Sequence, residues 1–302
     1  MSARTWAGLA LVSVTLTVRQ ADAFCRTTTC DPRDPAQHCE WDTTCNLCEV
    51  SGIPLSWPTD CVSYGVQQDG SVKLGISYDT AKQIFDKAFI SWLSADCGGG
   101  QTPAIDISPF PPIVCGQAEY NQSAGNANVW IFRDDAWPYP DGVDSTIALT
   151  TITYNTENGQ IYDADVEINS FSTAITTTDL NVKFDLQSVA THEAGHFLGL
   201  SHSCMAGATM TGSYNGGNVL LRTLETDDIA GICAAYPPGR VATNNDCQPR
   251  HGFSRECAPA DSKPICSCLT PKPTPSSTGA SAGALLTAFA FATRRMRRRK
   301  RG

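Results

Sequence analysis

The sequence predicts an α/β catalytic domain built on a mixed sheet, flanked by small disulfide-rich modules. Three observations favour this class. Short runs of alternating apolar residues predict strands upstream of a histidine-rich segment. Two stretches with a 3.6-residue apolar period predict helices. The 14 cysteines lie in groups, most of them on either side of a central stretch long enough to bury its own core.

The first predicted elements are a strand and a helix. Val72, Leu74 and Ile76 alternate as in a strand, and Asp79 is the predicted N-cap of the helix that follows. The helix carries an apolar stripe at i, i+3 and i+4 spacing, made of Ala81, Ile84, Phe85, Ala88, Phe89, Trp92 and Leu93. We expect this stripe to be core and not a cofactor site.

Four further segments have strand character before the next helix. They span residues 104–107, 129–132, 147–154 and 163–168. Asn158-Gly159 is a turn signal between the last two, so these two strands are expected to be antiparallel neighbours.

The second helix carries the most informative residues of the chain. Asp185 is a plausible N-cap, and apolar residues recur at helical spacing after it. His192 and His196 stand four residues apart and therefore project from one face. His202 can join them only if the chain turns, and Gly199 supplies a residue that adopts a left-handed C-cap conformation readily.

Three neutral imidazoles with a fourth position left for water are the ligands of a catalytic zinc. Glu193 adjoins the first ligand and is expected to act as general base toward a zinc-activated water. Met210 lies eight residues beyond the last histidine, which completes the H-E-x-x-H-x-x-G-x-x-H and Met-turn pattern. The alternatives are a capped surface pair of histidines, or a zinc-binding domain without activity.

These residues resemble the matrixin branch of the metzincin zinc proteases. Ser203 follows the third histidine, Ala208-Thr209-Met210 is similar to the Met-turn, and Tyr214 falls where matrixins place a tyrosine in the S1′ wall. Residues 227–232 and 235–236 are similar to the closing helix of the family. The resemblance extends over about residues 70–238 and implies a zincin-like α/β fold with an antiparallel edge strand, an active-site helix and a closing helix.

The resemblance also implies roles for individual residues. The segment 147–154 would be the edge strand that binds an extended substrate, with Leu149 and Thr150 nearest the zinc. Val189 and Tyr214 would shape the S1′ pocket. Met210 would support the metal site by packing beneath it.

Two departures from matrixins concern metals and latency. Matrixins hold a second zinc through three histidines and an aspartate, but only His38 and His251 lie outside the signature here. The cysteine-switch motif of matrixin propeptides is also missing from the sequence. Calcium is possible among four aspartates, although such a cluster is more often a solvated loop: Asp134, Asp135, Asp141 and Asp144.

The two ends of the chain predict export. Residues 1–23 have the pattern of a signal peptide, with Arg4, an apolar run and an Ala-Asp-Ala cleavage site. Residues 269–278 are a predicted linker, and 279–302 combine a short apolar segment with a basic end. This end resembles the C-terminal sorting tails of bacterial surface proteins, notably the myxobacterial type, with Cys266 or Cys268 as the expected processing site. Nucleic-acid binding by the basic end is the alternative that export disfavours.

In an exported chain an even set of 14 cysteines predicts disulfides. Cys97 with Cys115, and Cys204 with Cys233, are plausible pairs, although spacing alone does not fix connectivity. A zinc site at Cys45-x-x-Cys48 is the less favoured alternative. The predicted modules are residues 24–60 and 239–268, on either side of a catalytic domain at 61–238.

The sequence thus predicts an exported, monomeric zinc endopeptidase of the cell surface or extracellular space, acting on protein or peptide. The formal net charge of −8 disfavours nucleic acid as a partner, and membrane contact is expected only through the C-terminal segment. The second hypothesis is a catalytically inactive, zinc-stabilised module that binds extended peptides. A zinc hydrolase acting on a non-peptide amide is a third.

Overall fold

A computed structural model describes residues 24–139 and 146–259, together with the backbone of 282–290. Its centre is a mixed sheet in the strand order β2-β1-β3-β5-β4. The strands are β1 (Cys61–Val66), β2 (Asp106–Pro109), β3 (Val129–Phe132), β4 (Thr146–Asn155) and β5 (Ile161–Ile168). Strands β6 (Ile175–Thr176) and β7 (Phe184–Asp185) form a separate short parallel pair. This architecture confirms the predicted α/β class.

Strand direction changes once within the five-stranded sheet. The pairs β1–β2, β1–β3 and β3–β5 are parallel, whereas β4 runs antiparallel to β5 with Thr150 opposite Val166. Among these five strands β4 is the outermost and runs antiparallel, as predicted, although it is not a free edge of the described sheet. Strand β8 (Ala282–Ala290), which the sequence did not predict, lies antiparallel against the outer side of β4, with Thr287 opposite Thr150.

The segment predicted as the first strand is a turn. Ser71 and Ile76 exchange backbone hydrogen bonds of 2.9 Å each, and Val72 is 80% exposed, so the alternating apolar residues do not line a sheet face. Gly70 and Gly75, both at positive φ, allow the reversal. The true first strand is β1, and the strand predicted at 104–107 begins two residues later, as β2.

Helix α1 (Tyr78–Leu93) begins two residues earlier than expected. Its N-cap is Ser77, whose hydroxyl accepts from the Thr80 amide, while Asp79 lies in the first turn. The predicted apolar stripe is buried against the sheet except for Leu93, which is half-buried at the end of the helix. Phe85, Phe89 and Trp130 form an aromatic cluster there together with Phe197.

Helix α2 (Leu186–Phe197) packs beside α1 beneath β4, and α3 (Thr226–Ala235) closes the domain. The Asp185 carboxylate caps α2 by accepting from the Ser188 amide at 2.8 Å, as predicted. At the start of α3, the Asp228 carboxylate accepts from the amides of Thr209 and Met210 at 2.7 and 3.0 Å. These bonds fix the Met-turn to the closing helix.

Six disulfides connect distant parts of the described chain. Both pairings suggested from the sequence are wrong, because Cys97 is bonded to Cys233, Cys115 to Cys257, and Cys204 to Cys45. The partners are 136 to 159 residues apart, so spacing along the chain held no information about them. The remaining pairs are Cys25–Cys48, Cys30–Cys39 and Cys61–Cys247. Cys45 and Cys48 each carry a disulfide, which argues against a zinc site there. Cys266 and Cys268 lie outside the described residues.

Among the described residues, no helix combines the length and apolar character that crossing a membrane requires. The predicted signal peptide and most of the predicted C-terminal segment lie outside the described residues.

Candidate metal centre

Three histidine side chains converge at the end of α2. The Nε2 atoms of His192 and His196 are 3.0 Å apart, and those of His196 and His202 are 3.2 Å apart. Helical spacing positions the first pair, and the turn at Gly199, with φ +87°, brings back the third. A side chain at Gly199 would also meet the Leu55 carbonyl oxygen at 2.5 Å, so glycine is required there for two reasons.

The other ring nitrogens of the first two histidines are held by backbone carbonyls. His192 Nδ1 lies 2.7 Å from the Thr209 carbonyl oxygen, and His196 Nδ1 lies 2.9 Å from that of Leu200. Each Nδ1–H therefore donates, and each Nε2 carries a lone pair. Two lone pairs cannot hydrogen-bond to each other, so the close Nε2 atoms indicate a shared ligand.

The donor set fits zinc. Tetrahedral zinc with Zn–N distances of about 2.0–2.1 Å places its nitrogen ligands roughly 3.3 Å apart, close to the separations of the Nε2 atoms. Burial lowers the pKa of His196 to about 3 and that of His202 to about 4, and it lowers the pKa of His192 as well. The imidazoles are therefore neutral at physiological pH, the form that binds a metal.

Glu193 lies beside this cluster and is fully buried. Its Oε2 accepts a 2.6 Å hydrogen bond from the Thr150 hydroxyl on β4, while its Oε1 has no partner among the described residues. Burial raises the pKa of the carboxyl to about 8, against the opposing effect of the Thr150 bond. Thr150 is thus placed next to the expected general base, whereas Leu149 points to the opposite face by strand alternation.

Met210 lies beneath the histidines and packs against α2. Its sulfur contacts the point at which a side chain on Gly195 would begin, and Trp92 Cζ2 lies 2.8 Å from the same point. Gly195 is a structural residue of this site that was not predicted from the sequence. The sequence does hold a signal for it, since a residue without a side chain stands three positions after His192 in the motif. The structure places this residue against Met210.

The N-terminal residues support the turn between the second and third histidines. The sequence predicted the turn but not this contact with the N-terminal residues. The Thr27 amide donates to the Gly199 carbonyl at 3.0 Å, the Ser201 amide donates to the Cys25 carbonyl at 2.9 Å, and the Arg26 guanidinium donates to the carbonyls of Gly199 and Leu55. Residues 24–60 therefore form part of the scaffold around the site.

The residues expected around the S1′ pocket lie on the helix and on the segment after the Met-turn. Val189 is buried in α2, and Tyr214 is buried with its hydroxyl donating to the Asn218 carbonyl. Near these residues, the Arg222 guanidinium donates two hydrogen bonds of 2.6–2.7 Å to the carboxylate of Asp185, which is the N-cap of α2.

Other metal-binding expectations receive no support from the geometry. His38 and His251 belong to no group of potential metal ligands among the described residues. The Asp134 carboxylate accepts from the Ser71 hydroxyl and the Lys73 amide at 2.6 and 2.9 Å, and from the Ser170 hydroxyl. Of the other expected calcium ligands, Asp141 and Asp144 lie outside the described residues.

Comparison with known proteins finds similarity in the part of the chain that carries the three histidines. Residues 126–237 match the family model described as Matrixin. The chain is 28% identical over 200 residues to Metalloendoproteinase 1-MMP of Arabidopsis thaliana, covering 65% of this chain and 48% of that protein. It is 27% identical over 206 residues to Matrix metalloproteinase-C of Caenorhabditis elegans, covering 64% and 32%. It is 45% identical over 202 residues to Matrix metalloproteinase-20 of Homo sapiens, covering 65% and 36%.

The chain therefore spans half the length or less of these relatives. The matched region contains the three histidines, Glu193, Met210 and the closing helix. Matrixins are zinc-dependent, which agrees with the donor set. Residues 126–237 are thus similar to the matrixin family.

Proposed function

We propose that this protein is an exported zinc-dependent endopeptidase. The observation that carries the proposal is the placement of Glu193 beside three histidine Nε2 atoms, with its carboxylate oriented by Thr150 on the edge strand. A binding module has no use for a fully buried carboxylate next to the first histidine of the motif, and burying it costs stability.

Zinc held by His192, His196 and His202 would polarise the scissile carbonyl and acidify the attacking water. Glu193 would accept the proton of that water and deliver it to the leaving amine. The Thr150 hydroxyl keeps the carboxylate oriented between the two steps.

The substrate would bind as an extended strand along β4. In the whole chain β8 already pairs with this strand, from Thr146 opposite Ala290 to Asn155 opposite Ala282. Substrate must therefore displace β8 or bind when it is absent. Tyr214 and Val189 would then contact the side chain that follows the cleaved bond.

Export is supported by the disulfides. All 12 cysteines of the pairs described above are cross-linked, and disulfides persist in oxidising compartments. Such pairing is typical of proteins outside the cytosol.

The test compares the parent chain with Glu193→Gln. We expect both proteins to bind one zinc ion, and we expect the variant to lose at least about 10³-fold in kcat on a quenched peptide library, because Gln accepts no proton. Zinc content is measured by elemental analysis and cleavage by fluorescence.

Equal cleavage by the two proteins would disprove the role of Glu193. Zinc in both proteins with cleavage by neither would instead favour the inactive peptide-binding module.

A further inference from the structure

The N-terminal loop at residues 42–48 is held rigidly beside the metal centre. The Asp42 carboxylate accepts from the amides of Thr44 and Cys45 at 2.7 and 2.8 Å, and the Asp42 amide donates to the Cys48 carbonyl at 2.8 Å. Two disulfides fix the loop, one of them from Cys45 to Cys204, two residues beyond the third histidine. The loop therefore has little freedom to move away from the site.

Leu47 projects from this loop next to the third histidine. Its Cδ1 lies 3.3 Å from the point where a side chain on Gly212 would begin, and His202 Cγ lies 3.6 Å from the same point. Gly212 follows Met210 by two residues and precedes Tyr214 in the expected S1′ wall. Leu47 thus lies beside the third histidine and the segment after the Met-turn, in space that a side chain at position 212 would otherwise fill.

Leu47 is also 42% exposed. A scattered exposed leucine needs no explanation by itself. Here, however, the leucine is held by two cross-links at a fixed place beside a metal ligand, and the residue facing it has no side chain. Burial of its remaining surface by a ligand would be favourable and would require little ordering of the loop.

We propose that Leu47 determines substrate specificity, by forming an apolar wall of the cleft across from β4 that contacts an apolar side chain of the bound peptide. The inference rests on the proposed function, since it places a peptide in that cleft. Residue 47 lies outside the matched region at 126–237, so this contact belongs to the N-terminal module and not to the matrixin-like part.

The test uses the full chain and three variants, Leu47→Ala, Leu47→Asp and Val50→Ala. Val50 is the matched control because it is 55% exposed on the same module. Each protein is titrated with zinc-chelating peptide hydroxamates in which leucine replaces alanine at one position at a time. Zinc content and melting temperature establish that the variants are folded.

We expect Leu47→Ala to weaken binding about 5- to 20-fold for hydroxamates with leucine at one position, and Leu47→Asp to weaken it further. Binding of the all-alanine peptide should change little, and cleavable peptides of the same series should show a raised KM at unchanged kcat. Val50→Ala should bind every peptide like the parent.

The proposal is overturned if Leu47→Ala and Val50→Ala have the same binding profile across the series, or if the parent binds none of the peptides. Hydroxamate binding does not require hydrolysis. A parent that binds but does not cleave, with the leucine preference lost in Leu47→Ala, would therefore disprove the endopeptidase while leaving the role of Leu47 intact.

Discussion

The packing of Gly195 against Met210 determines how closely the active-site helix approaches the Met-turn. A methyl group at this position would meet the Met210 sulfur and Trp92, both of which are buried and well packed. Since Trp92 is itself held by a 2.7 Å bond from its indole nitrogen to the Thr191 carbonyl, it cannot move away without loss. The metal site therefore depends on a residue that binds no metal.

We expect Gly195→Ala to lower the free energy of unfolding by about 1–3 kcal/mol and to weaken zinc binding, because overpacking shifts α2 and its two ligands. This net loss already includes the gain in helix propensity of about 1 kcal/mol, which the clash with Met210 and Trp92 outweighs. Thermal unfolding with and without zinc measures both effects.

The control is Gly116→Ala, where nothing lies within 4 Å of the added methyl group and φ is not positive. It should change stability by less than about 0.5 kcal/mol. A Gly195→Ala protein as stable and as tightly zinc-bound as the control would show that α2 and the Met-turn are not coupled.

At the scale of elements, β5 carries buried carboxyl groups on the face away from α2. Asp163 and Asp165 are hydrogen-bonded to each other, and Asp165 Oδ1 also accepts from the Val129 amide at 2.8 Å. Asp163 Oδ1 has no partner among the described residues. Burial, chiefly, raises the pKa of both carboxyls, so they favour the protonated form in the folded protein.

Asp163→Asn should therefore stabilise the protein, and the gain should depend on pH. A carboxyl whose pKa is higher in the folded protein than in the unfolded chain stabilises the fold at low pH. This contribution is lost as the pH rises through the pKa of the folded state, whereas Asn does not titrate. We expect little difference near pH 4 and a gain of about 1–2 kcal/mol near pH 8. Denaturant titrations across this range measure it.

Asp106→Asn on strand β2 of the same sheet is the control, because that carboxyl is exposed. It should change stability by less than about 0.5 kcal/mol. A gain for Asp163→Asn that is constant or decreases as the pH rises would contradict the assignment of a protonated pair.

The elements that the sequence predicted well are those with local causes. The histidine-bearing helix follows from the N-cap at Asp185 and from helical periodicity, both encoded within a few residues. The turn at 70–76 was mistaken for a strand because its apolar residues alternate although its glycines reverse the chain. The disulfide partners and the position of Leu47 depend on contacts between distant segments, which no local pattern records.

At the scale of the whole molecule, β8 and a substrate compete for the same backbone groups of β4. Thr287 of β8 lies opposite Thr150, the residue that orients Glu193. A competing strand on the same chain acts at an effective concentration of about millimolar when the segment that connects it is long enough for it to reach β4. The proposed peptidase activity should therefore be partly suppressed in the intact chain.

A chain ending at Pro259 should cleave peptides with a kcat/KM at least about fivefold higher than the full chain, at equal zinc content. A synthetic peptide of residues 279–293, added to the shortened protein, should inhibit it competitively. Equal rates for the two chains, or no inhibition by the peptide, would show that β8 does not control access to the cleft.

The disulfides have a further consequence if the protein has the proposed peptidase activity. Four of them join residues 136 to 186 positions apart, and these long links overlap along the chain. A single break of the backbone anywhere between Cys48 and Cys247 therefore leaves both pieces covalently attached. The molecule can be nicked once, by itself or by a neighbour, without releasing a fragment until its cystines are reduced.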